Sequence, residues 1–173
     1  MSDLVAAQLR RPPRPQVRVG ARCHLGLPVV AVCPPRLEDG TPFPTRYWLS
    51  CPLARKRVAR LEAAGGVREV RQFVESDPVR REAMRRAHRR YARERDGALP
   101  DDGRPRPSGG VGGVARDGGI KCLHAHLADH WSGHANPVGA WVAERIGPLR
   151  CRVPCVVGEG DSSPAPNPAW RED

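Results

Sequence analysis

Three times in this chain a polar or thiol side chain stands directly before a proline, and an apolar run at helical spacing follows: Cys51-Pro52, Asp77-Pro78 and Asn136-Pro137. Proline suits the first turn of a helix because its missing N–H would have no partner there. Asp or Asn just ahead of it can accept the exposed amides of that turn. These three points set where helices begin. From Ser50 or Cys51, Ala54, Val58 and Leu61 recur at i, i+4 and i+7 until Gly65-Gly66 stops the run. From Asp77, Val79, Ala83, Met84, Ala87 and Tyr91 continue to about Arg95, with arginine over the outer face. From Asn136, Val138, Trp141, Val142 and Ile146 run to Gly147-Pro148. Val67, Val70 and Val74 mark a short helix or turn, and a further helix spans about Ile120 to Ser132.

Strand signals are few. Val29, Val30 and Val32 make Pro28 to Cys33 a strand that Pro34-Pro35 ends, and Arg46 to Ser50 is a second. Such an antiparallel pair needs helical cover to be stable. Residues 1–16, polar, arginine-rich and broken by proline, are expected to form a flexible arm, and 158–173 a disordered tail. Residues 97–119 form the longest irregular stretch, and Cys151 to Val157 a short extended piece. The expectation is a single α+β domain over residues 17–157, mostly helical, with a small antiparallel sheet near the N-terminus. No apolar stretch approaches the ~20 residues of a membrane span, and Met1 to Arg22 lacks the pattern of a secretory signal. A cytoplasmic protein is expected.

The formal charge of +10 attracts phosphate in principle. Of the 29 basic residues, however, all but Lys56 and Lys121 are arginine, in a chain also rich in Ala, Gly and Pro. That skew reads as GC-rich coding plus a solvated helix face, and argues against a nucleic-acid partner. Six cysteines in a reducing compartment point to metal ligands, a reactive thiol or small buried hydrophobes rather than disulfides.

Chemistry concentrates in Lys121-Cys-Leu-His-Ala-His, followed by His130 and His134. Thiol and imidazole are the side chains that bind transition metals, attack electrophiles or move protons near neutrality. On an ideal helix Cys122, His126 and His130 share a stripe, so His126 and His130 could hold one cation. His124 lies roughly 200° from Cys122 and joins it only if residues 120–124 are not yet helical. A zinc site would need a distant ligand, and Cys51, at a helix N-terminus that favours thiolate, is the leading choice. Cys51, Cys122, His124 and His126 are therefore the metal candidates. Cys23 and Cys33 are further possibilities, and Cys151-x3-Cys155 is a weaker metal signal. Cys122, after Lys121 and a glycine loop, is also the candidate nucleophile, although nothing in the sequence supplies an orienting third group. His88, Tyr91 and Arg95 share a helix face able to bind an anionic ligand or to pair with Glu62 or Glu75. Gly110 to Gly113 fails both phosphate-loop patterns, yet its amides, with Arg116 and Lys121, could hold an anion.

Several segments together resemble a bacterial family of unknown function, DUF501, common in actinobacteria. They are Pro42-Phe-Pro-Thr, Tyr47-Trp-Leu-Ser-Cys-Pro, Leu61-Glu62, Gly65-Gly66, His88 with Tyr91 to Arg95, Gly110 to Gly113, Lys121-Cys-Leu-His-Ala-His and Asn136-Pro-Val-Gly. The resemblance spans roughly residues 17–155 and places the family's shared positions at Cys51, His88, Tyr91, Arg95, Cys122, His124 and His126. It transfers no activity. Genes of such proteins often lie near a septum-formation initiator and an exopolyphosphatase, which implies a protein partner in division or envelope biology. The leading expectation is a Cys/His-lined metal or ligand pocket, catalytic or not. The competing one is an interaction or regulatory protein whose Cys/His cluster is a structural polar core.

Overall fold

The computed structural model describes residues 2–115, 118–158 and 163–171. Within them lie six helices and a three-stranded antiparallel sheet, an α+β arrangement that is mostly helical. The sheet runs β1 (Arg18–Arg22), β2 (Pro28–Val32) and β3 (Tyr47–Leu49), in that spatial order. Val30, Ala31 and Val32 of β2 face Leu49, Trp48 and Tyr47 of β3. The edge strand β1, with arginine at both ends and an irregular register on either side of Ala21, carries no apolar alternation and is not legible from composition.

The middle strand β2 is buried on both faces, and this corrects the reading of the N-terminus. Ala31 and Cys33 form a second, smaller apolar cluster with Val5, Leu9 and Val17. Residues Ser2–Leu9 are a helix, α1, rather than a flexible arm. An apolar strand face needs cover, and α1 supplies it before the prolines begin. The tail is corrected in part as well: β4 (Val156–Val157) pairs with β5 (Ala165–Pro166), and Trp170 packs against the main core.

The main core lies on the other side of the sheet, under α2 (Pro52–Ala63), α3 (Gly66–Glu75), α4 (Pro78–Asp96), α5 (Leu123–Trp131) and α6 (Pro137–Ile146). All three X-Pro junctions start helices. Asp77 Oδ1 accepts from Val79 N–H at 2.7 Å, and Asn136 Oδ1 from Gly139 N–H at 2.9 Å. Val30, Val58, Met84, Leu123 and Leu127 are fully buried, each contributing about 1.5–3 kcal/mol by leaving water. Val79, expected on the inner face of α4, is exposed because the helix has barely begun there.

Two glycines set how closely elements approach. A Cβ on Gly139 would lie 2.3 Å from the His126 carbonyl oxygen, so α6 can cross α5 this tightly only with glycine. A Cβ on Gly110 would lie 2.3 Å from His88 Nδ1, so the glycine loop is pressed directly onto that ring.

Candidate functional site

The first helical residue of the chemistry-rich segment is Leu123, and Cys122 is extended at φ −140° and ψ 115°. The cause is Glu62, near the end of α2. Its Oε1 accepts the Leu123 N–H at 2.7 Å, placing a carboxylate on the positive end of α5. Because the helix begins after Cys122, the geometry of an ideal helix through that residue does not apply. Cys122 and His124 come together, and His126 turns away. The expected stripe of Cys122, His126 and His130 is not formed.

His124 Nδ1 lies 3.3 Å from Glu62 Oε1, and its Nε2–H donates to the Arg55 carbonyl at 3.0 Å. Glu62, Cys122 and His124 each offer a donor atom within 4.8 Å of the others, the one such group among the described residues. His124 and Glu62 are about a quarter to a third exposed (27% and 29%), so the group is reachable from solvent. Burial pushes the Cys122 thiol up, but its hydrogen bond with His124 and the Ala125 amide outweigh that and hold it below its ordinary value. Burial pulls His124 down, while the Cys122 hydrogen bond and the Glu62 charge leave it net raised. Each group favours the charged form of the other.

His126 lies in a different environment. It is fully buried, with its ring edge-on to His88 at 5.8 Å between centroids. Asn136 Nδ2 lies 3.2 Å from His126 Nδ1 and donates to Asp129 Oδ2 at 2.9 Å. Asn136 Oδ1 lies almost as near the same nitrogen, at 3.3 Å, and His126 Nε2 is buried without a partner among the described residues. Burial first, and His88 second, push its pKa down to about 3 against the Asn136 hydrogen bond. His130 Nδ1 lies 3.3 Å from the His134 carbonyl, and among the described residues neither His126 nor His130 belongs to a group of three possible metal donors.

His88, Tyr91 and Arg95 do share a face of α4, but it points inward. His88 Nδ1 accepts the Val111 N–H at 3.0 Å, and its Nε2–H donates to the Gly119 carbonyl at 2.9 Å. Tyr91 Oη accepts the Arg46 N–H at 2.6 Å. Arg95 Nη1 donates to the Gly109 and Ser108 carbonyls at 2.6 and 3.2 Å. These three side chains hold the glycine loop and the approach to β3 in place, rather than presenting free groups to a ligand. Glu62, expected beside them, belongs instead to Cys122 and His124.

Cys51 is the N-cap residue of α2, as expected, yet it is buried, and its thiol is pushed up to about 11, chiefly by desolvation. It lines a void with Cys23, Cys151 and Cys155 rather than completing the Cys122 group. Cys33 is buried in the cluster under α1, with its thiol pushed up to about 12. Lys121 is exposed on a cleft of about 610 Å³ that Arg71 and Glu75 also line. Arg116, expected to assist an anion there, lies outside the described residues.

Fold and site together define a mostly helical α+β protein with a partly exposed carboxylate, thiol and imidazole at the start of one helix. Residues 19–144 match the family model described as "Protein of unknown function (DUF501)", and the chain belongs to that family. No curated protein and no solved structure matches it. Among the described residues no helix is long and apolar enough to cross a membrane.

Proposed function

We propose that Glu62, Cys122 and His124 form a site for one divalent transition-metal ion, zinc by its donor set, with a coordination position left for water or a ligand. The supporting observation is that three donors of the types zinc prefers stand within 4.8 Å of one another. Their surroundings fit as well. The second nitrogen of His124 is fixed by a backbone carbonyl, and Glu62 by a backbone amide, as outer-shell partners fix metal ligands. Three protein ligands with one position open is the arrangement of zinc sites that do chemistry, where the metal supplies a Lewis acid or an activated water. Lys121 and Arg71 add positive charge on the adjoining cleft, which favours an anionic small-molecule ligand. The test is metal content of protein purified without a histidine tag. Cys122→Ala and His124→Ala should each lower zinc by one ion per chain relative to wild type. Unchanged content in both variants would sink the assignment.

A second reading rests on the lowered thiol. Cys122, His124 and Glu62 are also a nucleophile, a base and a third group beside the base, the member that sequence alone does not supply. In metal-free protein, Cys122 should then alkylate faster at neutral pH than a free cysteine, and His124→Ala should remove the advantage.

A further inference from the structure

Between α4 and the start of α6 runs a groove of about 620 Å³, open to solvent. Its floor is small and apolar, with Ala83 and Ala87 from α4 and Pro137 and Ala140 from α6. Ala140 is exposed, and Val79, one turn before Ala83 on α4, is 70% exposed. Small side chains between two packed helices leave room for large ones from outside. A third helix seats on such a floor at the usual interaxial distance of about 8–10 Å.

The wall on the α4 side is cationic. Arg86, Arg89, Arg90 and Arg93 line the groove, and no carboxylate does. They recur at i, i+3, i+4 and i+7, over about 10 Å of helix, so they stand on one side of α4. Arg90 is already held, by Asp129 Oδ2 at 2.6 Å and Glu94 Oε2 at 3.0 Å. The others are in excess of their partners. The single Glu82 carboxylate serves Arg85, Arg86 and Arg89, at 3.3, 4.0 and 2.7 Å. Arg93 is exposed and has no ion pair among the described residues. As a whole α4 carries eight arginines and three carboxylates. Such a surplus repels itself, and a partner bearing carboxylates relieves it. None of the groove residues belongs to the Glu62, Cys122 and His124 group, so this surface is independent of the metal assignment.

We propose that this groove docks an acidic amphipathic helix of a partner protein. Its large apolar side chains fill the alanine floor, and its carboxylates meet Arg86, Arg89 and Arg93. A helix laid in a groove is read through anchors at i, i+3, i+4 and i+7, which is the spacing the arginines present. Charge attraction speeds encounter and fixes register, while the buried apolar anchors supply most of the affinity. A nucleic acid would meet the same arginines, but a duplex phosphate backbone has nothing apolar to set on the floor.

The test uses the full chain and a synthetic helical peptide of about 20 residues, with leucine at i, i+3, i+4 and i+7 and glutamate flanking them. Its lysine counterpart, duplex DNA of matching length and vesicles of anionic phospholipid are the comparison probes. The expected result is saturable binding of the glutamate peptide alone, weakening as salt rises. Arg86→Glu/Arg93→Glu should weaken it about tenfold or more, and Ala140→Trp, which fills the groove, by a similar factor. Arg14→Glu/Arg152→Glu changes net charge equally at exposed positions outside the groove and should leave binding unchanged. No binding of the glutamate peptide at millimolar concentration overturns the proposal, as does binding unaffected by Arg86→Glu/Arg93→Glu. Binding of DNA or vesicles that falls in the arginine variant and survives Ala140→Trp also overturns it, making the face a phosphate surface. Should Ala140→Trp fail to fold, amide chemical shifts of wild type with the peptide decide. They must move together at Ala83, Ala87 and Ala140, and shifts confined elsewhere overturn the docking site.

Discussion

His124 and His126 are two residues apart in the same turn of α5, and they are opposites. One is partly exposed, beside a carboxylate and a thiol, and gains affinity for its proton. The other is sealed between His88 and Asn136 and has lost nearly all of it. The same side chain thus serves two purposes, because helical rotation aims one ring at the end of α2 and the other into the core. His124 stands in the solvent-reachable group with Glu62 and Cys122, and His126 packs between α5, α6 and the glycine loop.

The largest expected break in that comparison is His126→Ala. It empties a buried site and removes one partner of the buried Asn136, so it should cost about 3–5 kcal/mol in urea unfolding. His124→Ala should cost about 1 kcal/mol or less in metal-free protein. Equal losses at the two positions would make both histidines structural. Gly139→Ala comes next. A methyl 2.3 Å from the His126 carbonyl must push α6 off α5, and overpacking of that kind costs about 1–3 kcal/mol by thermal or urea unfolding.

The pH dependence should separate the pair by sign. Unfolded His126 takes a proton below about 6.5, and folded His126 only near 3, so in that window unfolding takes up a proton. Its contribution is therefore intact above about 6.5 and lost as pH falls, by about 1.4 kcal/mol per unit. His126→Gln should flatten that part of the stability–pH curve. His124 acts in the other direction: its pKa is raised, so its contribution is present at low pH and lost as pH rises through the raised value. His124→Gln should leave the acid slope intact. The smallest effect belongs to Glu62→Gln, which removes a carboxylate from the N-terminus of α5 and should cost about 0.3–1 kcal/mol while weakening zinc binding. Zinc affinity unchanged in Glu62→Gln would remove the carboxylate from the ligand set.

The sequence placed the helices well because their signals are local. Pro52, Pro78 and Pro137 need only their own dihedral restriction to begin a helix, and Asp77 and Asn136 need only reach two or three residues ahead. Helix α1 and strand β1 escaped because neither has a strong pattern of its own. Val5 and Leu9 are buried only because Ala31 and Cys33 need a cover. Helical spacing also allied the wrong residues, joining Cys122 to His126, since it assumed a helix already formed at Cys122. A distant carboxylate made that assumption fail. Glu62 was visible only as one residue of the family resemblance and as a partner offered to His88.

By itself, then, the chain determined its helix starts, its α+β class and the segment in which thiol and imidazole side chains concentrate, because each depends on neighbours a few residues apart. Tertiary structure alone decided which groups act together. Glu62 reaches across 61 residues to start α5 at Leu123, and that one hydrogen bond turns Cys122 toward His124 and leaves His126 to the core. The groove between α4 and the start of α6 likewise exists only when those two helices are packed together. Long-range contacts such as these carry no period in sequence, and they are what make a site.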